Sequence, residues 1–324
     1  MARRRSDASR PAGMPKLAGI VRRLALVLTA AIAAPQGLAS ALAQAGEGSW
    51  SDHAGTASKS GLAEAAEPGS GFGGPVKSDR RAPQPVLRVC ADPNNLPFSN
   101  DREQGFENAL ANIVARDLGA RIEYTWWAER RGFLRNTLNA GVCDVVMGIP
   151  PLDVLTPTQA YYNSTYVIVS RTEDAVGVAT LTDPALRDLS IGVHLIGDDG
   201  ANTPAAHVLG DLGIVDNVVG YTIYGDYRED APPSRIVRDV AAGTIDIAIV
   251  WGPLGGYYAR MSDVPLTVTP LEKTESLLPL VFQFPIGMGV RTDDHALKDR
   301  LNRIIERERG TIDALLERYG IPRV

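Results

Sequence analysis

From Val86 onward the apolar positions alternate between two spacings: short unbroken runs, and stripes three to four residues apart. VLRVCA (86–91) is a run of strand length, closed by the polar turn DPNNLPFSN. Phe106, Ala109, Leu110, Ile113, Val114 and Leu118 then share one helix face, which Gly119 stops. RIEYTWW predicts a second strand, RRGFLRNTLNAG a short helix with a glycine stop, and DVVMGI a third strand. After STYVIVSR the pattern restarts. LSIGVHL reads as a strand, and Thr203-Pro204 supplies the cap and first-turn proline of a helix reaching Gly213. NVVGYTIYG (strand), PPSRIVRDVAAG (helix) and IDIAIVW (strand) follow. A last apolar run, PLVFQFPIGMGV, leads into helices expected over 293–309 and 311–319. Strands alternating with helices at this spacing predict an α/β fold of two open, mainly parallel sheets. In such sheets a ligand sits beyond the strands' carboxyl ends.

Before Val86 the pattern is different. A basic stretch ending in Arg22-Arg23 precedes the apolar run Leu24 to Ala34 and the small-residue site Ala43-Gln44-Ala45. That is the layout of a secretory signal over 1–45, and a run of eleven residues is too short to span a bilayer. In residues 46–85, Gly, Ser, Ala and Pro fill 24 of 40 positions without apolar periodicity, so a disordered leader is expected. Its GSGFGG run lacks the strand and helix that a phosphate loop needs, and its Ser51, Asp52 and His53 cannot hold a triad geometry there.

Without residues 1–45 the chain keeps 26 basic and 37 acidic side chains, a formal charge of −11. That balance repels nucleic acid and anionic membrane surfaces. Export also places Cys90 and Cys143 in an oxidising compartment, which favours a bridge if their strands are neighbours. Catalytic signatures are missing: no HExxH, CxxC, P-loop or GxSxG occurs. Glu229, Asp230 and Asp198-Asp199 lack metal-ligand spacing, so no metal site is expected.

From Val86 to its end the chain resembles the type II periplasmic binding proteins. That resemblance implies two lobes, 86–164 plus 286–324 and 165–285, joined by strands crossing near Asn163–Val167 and Phe284–Met288. More narrowly, LRVCADPNNLPFSN, WWAERRGFLRNTLNAGVCD, IGDDGANTPAAHVL, YGDY and IAIVWGPLGGYYA resemble the J proteins encoded with pyrroloquinoline-quinone methanol dehydrogenases. The resemblance implies a periplasmic, non-enzymatic accessory that binds the dehydrogenase or its cytochrome c. The quinone (PQQ) and its calcium or lanthanide ion would belong to that partner, with no cofactor here. The fold alone implies an alternative, a solute receptor for an ABC-type transporter.

Amino-acid receptors of this fold hold the ligand carboxylate with an Arg after the third strand and the ammonium with an Asp after a later lobe-two strand. Here IPPLDVLTPTQA (149–160) contains no Arg or Lys, and Trp251 takes the place of the Asp. A zwitterion would lose about 3–5 kcal/mol for each unpaired charge, against about 8 kcal/mol for micromolar binding. An apolar or peptide-like surface is therefore expected in the cleft. Trp251, Pro253, Tyr161, Tyr162, Phe98, Pro97, Met147 and Pro150 fall at strand ends or crossings facing it, though rings there also pack lobe edges. Of the pair Trp126-Trp127, one ring should be core and the other, Trp127, free to face the cleft, with Arg130 and Arg131 beside it. Arg130 and Arg131 begin a helix, where cations are disfavoured. They suggest a partner carboxylate or an indole stack, unless they are simply solvated. Asp92, Asn94 and Asn95 follow the first strand and border the same cleft, although turn chemistry alone also selects them.

Overall fold

The computed structural model describes residues 84–196 and 202–324. The expected signal, the leader before Gln84 and the pair Asp198-Asp199 lie outside them. The first strand, β1 (Val86–Ala91), buries Leu87, Val89 and Cys90 and runs into a tight hairpin, β2 (Asn94–Asn95) with β3 (Ser99–Asn100). Helix α1 (Phe106–Leu118) starts where the Asn108 side chain accepts the Gly105 N–H, 3.0 Å away. It ends at Gly119, whose φ of 62° is the left-handed cap that glycine adopts without strain. After β4 (Arg121–Trp126), the single turn α2 (Phe133–Asn136) and β5 (Val145–Ile149), the bridge β6 (Thr156–Pro157) leads to the long β7 (Tyr162–Arg171).

The second set comprises β8 (Ile191–Leu195), α3 (Pro204–Asp211), β9 (Val218–Thr222), α4 (Arg235–Ala241), β10 (Ile247–Trp251), α5 (Gly252–Met261) and β11 (Leu266–Pro270). The chain returns along β12 (Gln283–Val290) and closes with α6 (His295–Arg307) and α7 (Arg309–Arg318). Thr203 caps α3 as its sequence suggests, accepting the Ala206 N–H.

Two sheets, each with a parallel core, meet at two strands. The order is β4-β1-β5-β12-β7-β10-β8-β9, with β11 on β7. The β4, β1 and β5 strands are mutually parallel, as are β10, β8 and β9. Crossing strands β7 and β12 run antiparallel, pairing Tyr162–Thr165 with Ile286–Gln283. The helix over GPLGGYYARM and the added antiparallel strand β11 were among the elements not expected. Three glycines lower helix propensity over α5, but packing on β7 and β11 overrides it.

One core joins Val89, Leu110 and Val145 to Met288, Ile304 and Leu316 from the end of the chain. Beyond the crossing, Ile168, Ile191 and Ile249 centre a second core on one sheet face, and Val169, Ile236 and Val250 a third on the other. Cys90 and Cys143 are disulfide-bonded with Cα atoms 5.5 Å apart, packed with Phe133 and Leu138. No helix among the described residues is long and apolar enough to cross a membrane.

Candidate functional site

The carboxyl end of β10 delivers Trp251 to the place where the crossing strands meet. Helix α5 begins at the next residue, with Trp251 as its N-cap in extended conformation. Gly252 is required there, since a Cβ would stand 2.4 Å from the Thr165 carbonyl oxygen of β7. The indole lies edge-on to Tyr166 of β7 and Phe284 of β12, with ring centroids 5.6 and 5.7 Å away. These rings form one wall of a cavity of about 430 Å³ between the lobes. From lobe one, Asp92, Asn95, Phe98, Glu107, Glu129 and Pro150 also line it, with Tyr162 beside them. Lobe two adds His194, Thr203, Tyr224, Tyr227, Pro233 and Leu254.

The lobes are bound together across the cavity mouth. Asp92 is only 3% exposed and accepts the Asn94 N–H at 2.8 Å, the Glu129 N–H at 2.6 Å and the Tyr227 hydroxyl. Asn94 donates to the Glu229 carbonyl at 2.7 Å and accepts the Ala231 N–H at 2.9 Å. The Tyr258 hydroxyl reaches the Leu96 carbonyl at 3.1 Å. The Arg130 guanidinium rests over the Tyr227 and Tyr224 rings, 4.5 and 5.8 Å from their centroids. Arginine stacking therefore occurs on phenols of the other lobe, not on an indole, and Arg130 precedes α2 instead of starting it.

Three carboxyl groups share this space. Glu107, on the first turn of α1, is half-buried, with its tip over Gly148, where a Cβ would lie 1.9 Å from its Oε1. Burial pushes its carboxyl well above the usual range, and the charges of Glu129 and Asp92 push it further. Glu129 is exposed and lines the cavity. Desolvation there and the Asp92 charge push it up to about 7, against a hydrogen bond donated by Asn95 Nδ2 at 3.1 Å. His194 is held down to about 4 by burial, although it hydrogen-bonds the Pro233 backbone. At neutral pH the imidazole is uncharged.

Of the residues expected in the cleft, Asp92, Asn95, Phe98, Pro150, Tyr162 and Trp251 line the cavity. Asn94 ties the lobes without facing it, and the Pro97 carbonyl accepts the Phe106 N–H at the start of α1. Met147 and Tyr161 lie in the lobe-one core, joined by a 2.9 Å bond from the phenol to the Met147 carbonyl. Strand alternation explains this: Gly148 faces the cavity, so Met147 faces away. Pro253 is buried in the first turn of α5. Trp127 is 45% exposed and, like Arg131, lies off the cavity.

The expectation of a cleft without ammonium partners needs correcting. No Lys or Arg lines the cavity among the described residues, so a carboxylate would indeed lack a partner. An ammonium would not, because Glu107 and Glu129 supply charge from positions other than that of Trp251. Glu107, Glu129, Tyr166, His194, Tyr224 and Tyr227 were not foreseen. Glu107 could have been, since α1 begins beyond the carboxyl end of β1, where open sheets place ligands.

Residues 87–322 match the family model of bacterial extracellular solute-binding proteins, family 3. A curated relative, Protein MoxJ of Methylorubrum extorquens strain AM1, is 31% identical over 281 residues, covering 82% of this chain and 86% of the relative. The crystal structure of periplasmic binding protein XoxJ from Methylobacterium extorquens AM1 superposes with a TM-score of 0.61 at 34% identity, covering 74% of this chain and 99% of that one. MxaJ from Methlophaga aminisulfidivorans MPT gives 0.64 at 26% identity, covering 74% and 100%.

Proposed function

The chain belongs to the bacterial extracellular solute-binding proteins, family 3, and with MoxJ to the J proteins among them, and from that premise we propose that it is a periplasmic, non-enzymatic accessory of methanol oxidation. Its partner is a pyrroloquinoline-quinone methanol dehydrogenase or the cytochrome c that serves it, in assembly, activation or electron transfer. The quinone and its calcium or lanthanide ion reside in that partner. The observation that carries this reading is the extent of the kinship: identity to MoxJ runs over 281 residues and so through both lobes, not one motif. The exposed Trp127 offers one contact on the outside of lobe one. Trp251 and the other cavity rings become available only when the lobes part. Crosslinking in periplasmic extract should recover a dehydrogenase subunit or its cytochrome; recovery of neither would reject the proposal.

A second reading, a solute receptor, is favoured by the cavity itself. At about 430 Å³ it has the size of small-molecule sites, and lobes bound across its mouth would enclose a ligand. Mass spectrometry of a small molecule released from natively purified protein tests this reading.

A further inference from the structure

The cavity's own chemistry narrows what could occupy it. Its lining carries no cation among the described residues, so a bound carboxylate or phosphate would stand unpaired. Its walls carry many rings, and aromatic faces attract positive charge; Arg130 already covers Tyr224 and Tyr227, which leaves Trp251, Tyr166 and Phe284. Negative charge is available but unequally used. The Asp92 carboxylate is satisfied by three donors. Glu129 accepts one, from Asn95. No hydrogen bond or ion pair engages the Glu107 carboxyl among the described residues. That group is half-buried, seated over a backbone position where any Cβ would expel it. The remaining surface of Glu107 opens onto the cavity.

We propose that the cavity binds a small organic monocation without a carboxylate, an alkyl- or arylammonium. Its charged head pairs with Glu107, aided by Glu129, and its apolar part packs against Trp251, Tyr166 and Phe284. A metal ion fits less well, because no three His, Cys, Asp or Glu side chains among the described residues converge on one point. A zwitterionic amino acid brings a carboxylate for which no Lys or Arg lines the cavity among the described residues. The proposal does not depend on a methanol dehydrogenase partner, so failure of the crosslinking experiment would leave it standing.

Isothermal titration of the purified protein near neutral pH provides the test, with four probes of matched size. These are n-butylammonium, n-butyltrimethylammonium, the neutral n-butanol and the zwitterion norleucine. The two cations should bind roughly tenfold or more tightly than the other probes. Glu107→Gln should weaken the cations by a similar factor and leave n-butanol unchanged. Gly148→Ala, which displaces the same carboxyl without removing it, should act in the same direction. Cation binding favours the ionised form of the raised Glu107 and Glu129 carboxyls and should shift their proton uptake, read by repeating the titration in buffers of different ionisation heat. The groups around Glu107 are Asp92, Glu129, Tyr124, Tyr161 and Tyr162, with His194 across the cavity. Among them the Glu129 carboxyl is also raised, so loss of that shift in Glu107→Gln assigns it. Equal affinity for n-butanol or norleucine, absence of cation binding, or indifference to both variants would overturn the proposal.

Discussion

The Tyr227 hydroxyl of lobe two donates to the Asp92 carboxylate of lobe one, and Asp92 at the same time receives the Glu129 N–H. One carboxylate thus organises the cavity wall and holds the opposite lobe. Tyr227→Phe keeps the ring and its contact with Arg130 but removes the donor. A hydrogen bond to a charged group contributes about 1.5–3 kcal/mol, so the variant should lose about 2 kcal/mol of stability. Small-angle scattering should show a larger radius of gyration, from a greater open population. Unchanged dimensions together with unchanged stability would mean that the contact does not govern closure.

The raised Glu129 carboxyl makes stability depend on pH in a stated direction. Folding lifts it from 4.5 to about 7, so the folded chain binds more protons between those values. Stability from this group is full below 4.5 and is lost as pH rises through about 7. Glu129→Gln removes that slope. Its melting temperature should match wild type near the bottom of the window and exceed it above the top. Because Glu129 is exposed, the full shift is discounted to roughly 1 kcal/mol, about 2–4 °C for a chain of this size. His194 works in the opposite sense, losing its contribution as pH falls from 6.5 toward about 4, and cancels in the comparison.

Trp251 tests how far the cavity wall is structural. Its ring is half-buried against Tyr166 and Phe284, so truncation to Ala should cost about 2–3 kcal/mol, below the 3–5 kcal/mol of a core aromatic. Denaturant melts read the stability, and crosslinking yield reads the partner. A loss of 5 kcal/mol or more, roughly the upper end for core aromatics, with crosslinking intact would make Trp251 a core residue only.

The disulfide closes a loop of 53 residues between β1 and the entry to β5. Replacing Cys90 and Cys143 together by Ser should lower stability by about 2–4 kcal/mol. Thiol titration of the unfolded, unreduced wild-type chain should find no free thiol from this pair.

Most elements were legible because their period is local. The 3.6-residue stripe of α1 and the apolar run of β10 each state their own environment. Helix α5 was not, since its glycines and tyrosines look like a turn until β7 and β11 cover them. The site was half legible for the same reason. Asp92, Phe98 and Trp251 sit at strand ends, where topology alone aims side chains at the cleft. Tyr227 and His194 face it only because lobe two folds over lobe one, and no local pattern encodes that. Met147 was misplaced by one step of strand alternation, which turns a cavity residue into a core residue.

The crossing strands impose an order of events on the newly made chain. The second and third cores draw only on residues 167–282, so they can assemble from one continuous stretch. The first core joins Val89 to Leu316, and the Pro322 carbonyl accepts the Ser164 hydroxyl at 2.7 Å on the crossing strand. The lobe that begins first must therefore finish last, with its N-terminal half waiting for α6 and α7. During that interval the apolar face of β1 and α1 is open to aggregation and proteolysis. Clipping the last few residues would strike the first lobe and the hinge together while leaving the second lobe able to fold.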